Sequence, residues 1–187
     1  HGIIQLANQL QVSPDIIFLG TYHLLLSSFL SANDLAIGVV VNNRLEEEGG
    51  EDVFGLHLNT IPFRFQNKDL SVSAKEYLSR LFEEKLALNA HKLYPYAKIK
   101  SDLQHQQDLY QCTFNYVHFH VIEESHSTGA VTGAYSHEKT NIPLVLNVQR
   151  TADKFAMGVM STPQFIDSQV SQSLLDGLQT LLKQIVA

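Results

Sequence analysis

Residues 12–30, VSPDIIFLGTYHLLLSSFL, set the first condition on the fold. Ser13 suits a helix N-cap, Pro14 the first helical position and Asp15 the positive end of a helix dipole, so the stretch opens as a helix. Within it, apolar residues fall on nearly every face rather than along one stripe. Such a helix has no side to offer to water and must be buried. Thr21, His23 and Ser27-Ser28 interrupt the run, which is too short and too polar to cross a bilayer. The cover must therefore come from the rest of the protein.

The remaining pattern supplies it. DLAIGVVVNNR (34–44) reads as a β-branched buried strand, and LEEEGGED (45–52) as an acidic, glycine-broken loop. FGLHLNTIPFR (54–64) reads as a second strand. SAKEYLSRLFEEKLALNAH (73–91) is a helix with a capping box, Ser73 with Glu76. Its stripe is Leu78, Leu81, Phe82, Lys85 and Leu86, with the lysine snorkelling at the edge. Residues 94–103 form a short helix, 110–122 a long strand and 124–141 a polar, irregular stretch. Residues 142–150 and 154–161 are paired strands, and an amphipathic helix closes the chain over 167–187. Helices alternating with strands give an α/β (α+β) class, a two-layer sandwich with a mixed β-sheet and flanking helices. The 187 residues suit a single domain, and the opening HGIIQLANQLQVSPD reads as part of something longer.

Composition narrows the function. A net charge of −6 argues against a nucleic-acid binder, and no secretory signal opens the chain. The lone cysteine, Cys112, permits no internal disulfide, which fits a reducing compartment and a cytoplasmic location. His118 and His120 share one face of a strand with Tyr116 and Ile122, but no Cys pair, HExxH or third ligand accompanies them, so no metal is expected. There is no GxSxG and no Gly-rich phosphate loop.

The strand at 54–64 is odd in its own right. Strands disfavour Asn and confine Pro to edges or ends, yet this one carries Asn59, Thr60, Pro62 and Arg64 in order. With Gly55, that order resembles the Gly, Asn-Thr, apolar-Pro-apolar, Arg signature of the condensation domains of nonribosomal peptide synthetases. SPDIIFLGTYHLLLSSFLSANDLAIGVVVNNR, ending in Arg44, resembles the stretch that precedes it there. AHKLYPYAKI is similar to the family's His-Gln-Asp, aromatic, Pro-Phe-Glu segment, matched at His91, Tyr94 and Pro95. FNYVHFHVI, TNIPLVLNVQ and the closing helix follow in the family's order. Lys92-Leu93 and Ala97 depart from the pattern, and SDLQHQQDLYQ replaces an Arg-rich motif.

The resemblance implies one lobe of a chloramphenicol acetyltransferase-like fold, in which two similar lobes form a V around a tunnel. The family's catalytic HHxxxDG motif is absent from this sequence. Residues 1–187 are therefore expected to be the C-terminal lobe, without the N-terminal lobe and without a catalytic residue of their own. The implied chemistry is amide formation between an acyl or peptidyl thioester and an aminoacyl acceptor. Both substrates would ride on 4′-phosphopantetheine of partner carrier proteins, with no cofactor bound directly. The alternatives are a lobe of an epimerisation, cyclisation or other carrier-dependent acyltransferase domain, or a non-catalytic carrier-protein-binding module. Asn59, Thr60 and His57 are the tunnel candidates, with Asn59 reading equally as scaffold. Gly55, Pro62, Arg64, Arg44, His91 and Pro95 are structural, with Pro62 placed where the strand leaves the ladder. A lobe face near 55–64 and 124–141 is expected to be sticky enough for homo-oligomers, with no nucleic acid or membrane partner.

Overall fold

The computed structural model describes residues 2–44, 47–67, 69, 71–118, 141–151 and 154–186. Two helices open it, α1 (Gly2–Leu10) and α2 (Pro14–Leu30). Then come β1 (Asp34–Asn42), a 3-10 turn (Gly50–Asp52), β2 (Leu58–Gln66), α3 (Ala74–Asn89) and α4 (Tyr96–Asp102). The strands β3 (Cys112–His118), β4 (Leu144–Thr151) and β5 (Lys154–Ser161) precede the closing helix α5 (Ser168–Ile185). The sheet runs β2-β1-β3-β4-β5. Its middle pairs, β1 with β3 and β3 with β4, are parallel, and its outer pairs are antiparallel. It is the expected mixed sheet with flanking helices.

The all-round apolar helix is α2, and it is buried as its pattern demands. Asp15 to His23 are buried without a break. One face of α2 meets Ile37, Val39, Phe114 and Leu146 of the sheet, while α1, α3 and α5 close over its other sides. Successive strand residues point to opposite faces. Ile61, Phe63 and Phe65 of β2 therefore join this core, and Thr60, Pro62 and Arg64 point to the sheet's other side.

Several local expectations need correction. The chain before α2 is itself helical, with Ile3, Leu6, Ala7 and Leu10 packed on the core. Ser13 occupies the N-cap of α2 without a side-chain cap bond. Residues 54–57 lie outside β2, and Leu56 and Leu58 are exposed. Pro62 sits mid-strand opposite Gly38 rather than where β2 leaves the ladder. An edge strand tolerates this, since a missing N–H on the outer side leaves no partner unpaired. On α3 the buried stripe is Tyr77, Leu78 and Leu81, while Leu86 is exposed. Lys85 does not snorkel; it pairs with Asp15 across the α2–α3 contact. The Ser73 hydroxyl accepts from Glu76 N at 3.2 Å, as the capping pattern requires.

Candidate functional site

The residues singled out on β2 divide between two jobs. Asn59, at the start of the strand, donates from Nδ2 to Lys92 O at 2.9 Å and to Tyr94 O at 3.2 Å. Its Oδ1 accepts from Thr60 N at 2.9 Å. Every polar atom of the carboxamide is used, and the result is a clamp between β2 and the turn after α3. His91 lies in that turn, its N–H bonded to Leu88 O, and Pro95 forms the N-cap of α4. The segment matched at His91, Tyr94 and Pro95 is thus held against β2 by Asn59.

Arg64 lies on the surface. It makes a bidentate pair with Asp34, Nε to Oδ1 at 2.8 Å and Nη2 to Oδ2 at 2.5 Å, joining β2 to the start of β1. The Arg64 hydrogen bonds, followed by that of Gln66, hold the Asp34 carboxyl down at about 2. The two side chains are 66% and 41% exposed, so water screens much of this attraction. The roles predict an ordering. Asn59→Ala removes both bonds of the clamp and should cost about 1–2 kcal/mol. Arg64→Ala should shift the melting temperature less, and thermal unfolding of both variants checks the order.

Arg44 and His57 brace the loop ahead of β2. Arg44 Nη1 donates to Gly50 O at 3.0 Å and to Val53 O at 2.9 Å. His57 Nε2–H donates to Val53 O at 3.1 Å, and Asn43 N to His57 O at 2.6 Å. Gly55 lies between them at a φ of 154°, where a side chain is strained. The braced loop holds Phe54 and Leu56 out at 103% and 87% exposure.

Thr60 points to the side of the sheet away from α2. It neighbours Tyr110, whose ring lies over Gly38: a Cβ there would fall 2.5 Å from the ring. Burial, with Tyr96 and Asp108 nearby, pushes the Tyr110 phenol up to about 12, and Thr60 opposes the shift. Further across this face Asn115 and Asn147 are register partners, and Asn115 Nδ2 donates to Asn147 Oδ1 at 3.0 Å. Asn147 faces Gly158 of β5, where a Cβ would meet nothing within 4 Å. A row of neutral donors and acceptors, Thr60, Tyr110, Asn115 and Asn147, thus lies on the face opposite the apolar core. Such a row can hydrogen-bond an amide or hydroxyl chain without adding charge. Sequence reasoning missed Tyr110, Asn115 and Asn147. For the two asparagines the signal was the one that marked Asn59, an Asn inside an apolar strand.

His118 ends β3 opposite Arg150, and His120 lies outside the described residues, as does Ile122. Among the described residues no three of His, Cys, Asp or Glu gather as metal ligands. No helix among them is long and apolar enough to cross a membrane.

The five-stranded mixed sheet thus carries helices over one face and a polar row on the other. The family model described as Condensation domain matches residues 1–187, and the chain belongs to that family. Gramicidin S synthase 2 of Brevibacillus brevis is 30% identical over 124 residues, 65% of this chain and 3% of that protein. The condensation domain of monacolin K polyketide synthase MokA superposes with a TM-score of 0.83 at 18% identity, over 99% of this chain and 44% of that one. A four-domain nonribosomal peptide synthetase, holo-AB3403 bound to AMP and glycine, gives 0.86 at 16% identity, over 99% of this chain and 16% of that one. At these identities the two structures show a shared fold. The chain spans a few per cent of its curated relative and under half of the solved MokA condensation domain.

Proposed function

We propose that the chain is the C-terminal lobe of a condensation domain that joins a carrier-bound acyl or peptidyl thioester to a carrier-bound aminoacyl acceptor. In this reading it supplies one wall of the substrate tunnel and a carrier-protein surface. The lobe bearing the HHxxxDG motif supplies the reacting histidine. The observation that carries the reading is the neutral polar row on the sheet face opposite the core, centred on Asn115 and Asn147. The 4′-phosphopantetheine arm of a carrier protein contains two amides and a hydroxyl, which such a row can pair as donors and acceptors. Thr60 remains a wall residue, and Asn59 supports the wall by fixing the turn at 92–94. Two measurements test this. The purified chain, given aminoacyl and peptidyl carrier proteins, should form no amide above background, and product formation would overturn the division of labour. In the whole parent domain, Asn147→Ala should slow single-turnover amide formation about tenfold, with a melting temperature near wild type. An unchanged rate would remove the face from the tunnel.

The same reading gives the braced loop at 53–58 a lobe interface to occupy. Phe54, Leu56 and Leu58 are displayed by a fixed backbone, as contact residues are. The isolated chain should therefore associate through this loop into dimers or larger species. Light scattering at increasing concentration should show it, and Phe54→Ser with Leu56→Ser should return the chain to monomer. A clean wild-type monomer at high concentration would overturn it.

A further inference from the structure

Strand register sets out the far part of the polar sheet face as a grid. Its rows, running across β3, β4 and β5, are Val117–Gln149–Ala156, Asn115–Asn147–Gly158 and Thr113–Val145–Met160. None of these residues is charged. The middle row begins with two carboxamides and ends without a side chain. Asn115 Nδ2 donates to Asn147 Oδ1, and among the described residues Asn115 Oδ1 and Asn147 Nδ2 have no partner. The pair therefore keeps one acceptor and one donor for another molecule. Gly158 is the odd member of the row. Glycine weakens a strand interior, and it is found there for a bulge, an unusual backbone angle or the close approach of another group. β5 pairs with β4 without a bulge from Lys154 to Ser161, and φ at Gly158 is not positive. Packing does not forbid a side chain either. Tyr110 crowds Gly38 and Leu78 crowds Gly20, but a Cβ on Gly158 would meet nothing within 4 Å. Close approach by a group from outside the described chain is the reason left.

We propose that Gly158 determines substrate specificity: it is the floor of a notch that seats an uncharged, apolar side chain or acyl tail of a carrier-bound substrate. The proposal rests on the reading of this face as tunnel wall and adds which part of the substrate lies where. Asn147 Nδ2 and Asn115 Oδ1 bond polar atoms near the thioester. The group that branches from them runs along the row, over Gly158, and leaves the sheet at its β5 edge. Ala156 and Met160 flank the notch along β5, and Val145 borders it from β4. All three are apolar, so an ionised group there would lose water without gaining a counter-charge. Size is read by exclusion, since a side chain at position 158 takes the space that the substrate needs. Donor and acceptor substrates can both carry such a group, and the experiment separates them.

The test uses the whole parent domain with its own loaded carrier proteins, in single-turnover amide formation. Gly158→Val should slow the reaction about tenfold or more, and Gly158→Ala less. The melting temperature should rise from Gly to Ala to Val, because a strand interior favours them in that order. A slower reaction in a more stable protein excludes misfolding as the cause. Glycine is then loaded in place of the native substrate, first on the acceptor carrier and then on the donor carrier. With the right substrate shortened, Gly158→Val and wild type should react at equal rates, which names the substrate in the notch. A wild-type rate for Gly158→Val with the native pair would overturn the proposal. So would an equal loss with either substrate shortened, since the carrier arm would then be the occupant. A second readout requires no amide formation. In Gly158→Cys, iodoacetamide labelling at position 158 is read by mass spectrometry apart from Cys112. It should be fast in the free domain and slow about fivefold with substrate-loaded carriers at about four times their dissociation constant. Slow labelling of the free domain would mean that the other lobe fills the notch, and equal protection by carriers bearing the bare arm would assign it to the arm; either overturns the proposal. Asn147→Ala decides the underlying reading separately. If it slows amide formation while Gly158→Val does not, the tunnel wall stands and the notch falls. If it is silent while loaded carriers alone protect position 158, the notch stands and the asparagine wall falls.

Discussion

Lys85→Ala is expected to lower the melting temperature by roughly 6–12 °C, from a loss of about 3 kcal/mol at about 2–4 °C per kcal/mol for a chain of this size. The reason lies at the contact of α3 with the first turn of α2. The Lys85 ammonium pairs with the Asp15 carboxylate, and the two side chains are only 17% and 11% exposed. Removing the cation leaves a carboxylate among Ile16, Leu81 and their neighbours with little water to replace it. Breaking a buried pair by deleting one partner costs about 3–5 kcal/mol. Asp15 also sits at the positive end of the α2 dipole, which offsets part of the loss and sets the value at the lower end. The double variant Asp15→Asn with Lys85→Met separates the pair from the packing. It removes both charges while keeping volume, and it should recover most of the lost stability. If the double variant melts as low as Lys85→Ala although methionine keeps the lysine's volume, an unpaired buried carboxylate is not the source of the loss.

That pair also shows where sequence reading stopped. The buried helix, the order of elements and the mixed sheet were legible, because an all-round apolar helix and β-branched strands are local patterns. In the sequence Lys85 reads as snorkelling because its partner lies seventy positions away, a separation at which no periodicity operates. Leu56 and Leu58 continue an alternation that carries the sequence reading of β2 back to residue 54. The structure instead folds 54–57 into a loop pinned by Arg44 and His57, contacts that depend on β1 and the 3-10 turn having already formed. Helix α1 was legible but unread: Ile3, Leu6, Ala7 and Leu10 have helical spacing. Pro62 made sense only once β2 was known to be an edge strand. The candidate site followed the same rule. The motif residues Asn59 and Arg64 were visible, but their partners, Lys92 O, Tyr94 O and Asp34, came from the fold. Asn115 and Asn147 become a pair only through the parallel register of β3 and β4.

His23→Ala is the second large effect, expected to cost about 4 kcal/mol at pH 7.5 and to flatten the acid side of the stability profile. His23 is fully buried in α2. Its Nε2–H donates to Phe65 O at 3.1 Å, which fixes the neutral tautomer and leaves Nδ1 as an acceptor for the Tyr77 hydroxyl at 3.0 Å. Truncation opens a cavity beside Phe65 and Tyr77, costing about 2–3 kcal/mol. It also leaves the Phe65 carbonyl without this donor, costing about 1–2 kcal/mol more. Tyr77 loses less, since its hydroxyl also reaches Gly20 O at 3.1 Å. The pH dependence follows from the same burial, which lowers the His23 pKa below 6.5, with the Phe65 bond and Asp34 opposing it. The unfolded chain therefore takes up this proton first as pH falls. The contribution is complete above pH 6.5 and is lost as pH drops through that value toward the folded pKa. Wild-type stability should decline over this window, and His23→Gln, which keeps a donor for Phe65 O but does not titrate, should decline less. Urea unfolding of both proteins at pH 7.5 and at pH 5 measures the difference. Equal slopes for the two would place the titration on another histidine and remove His23 from the acid response.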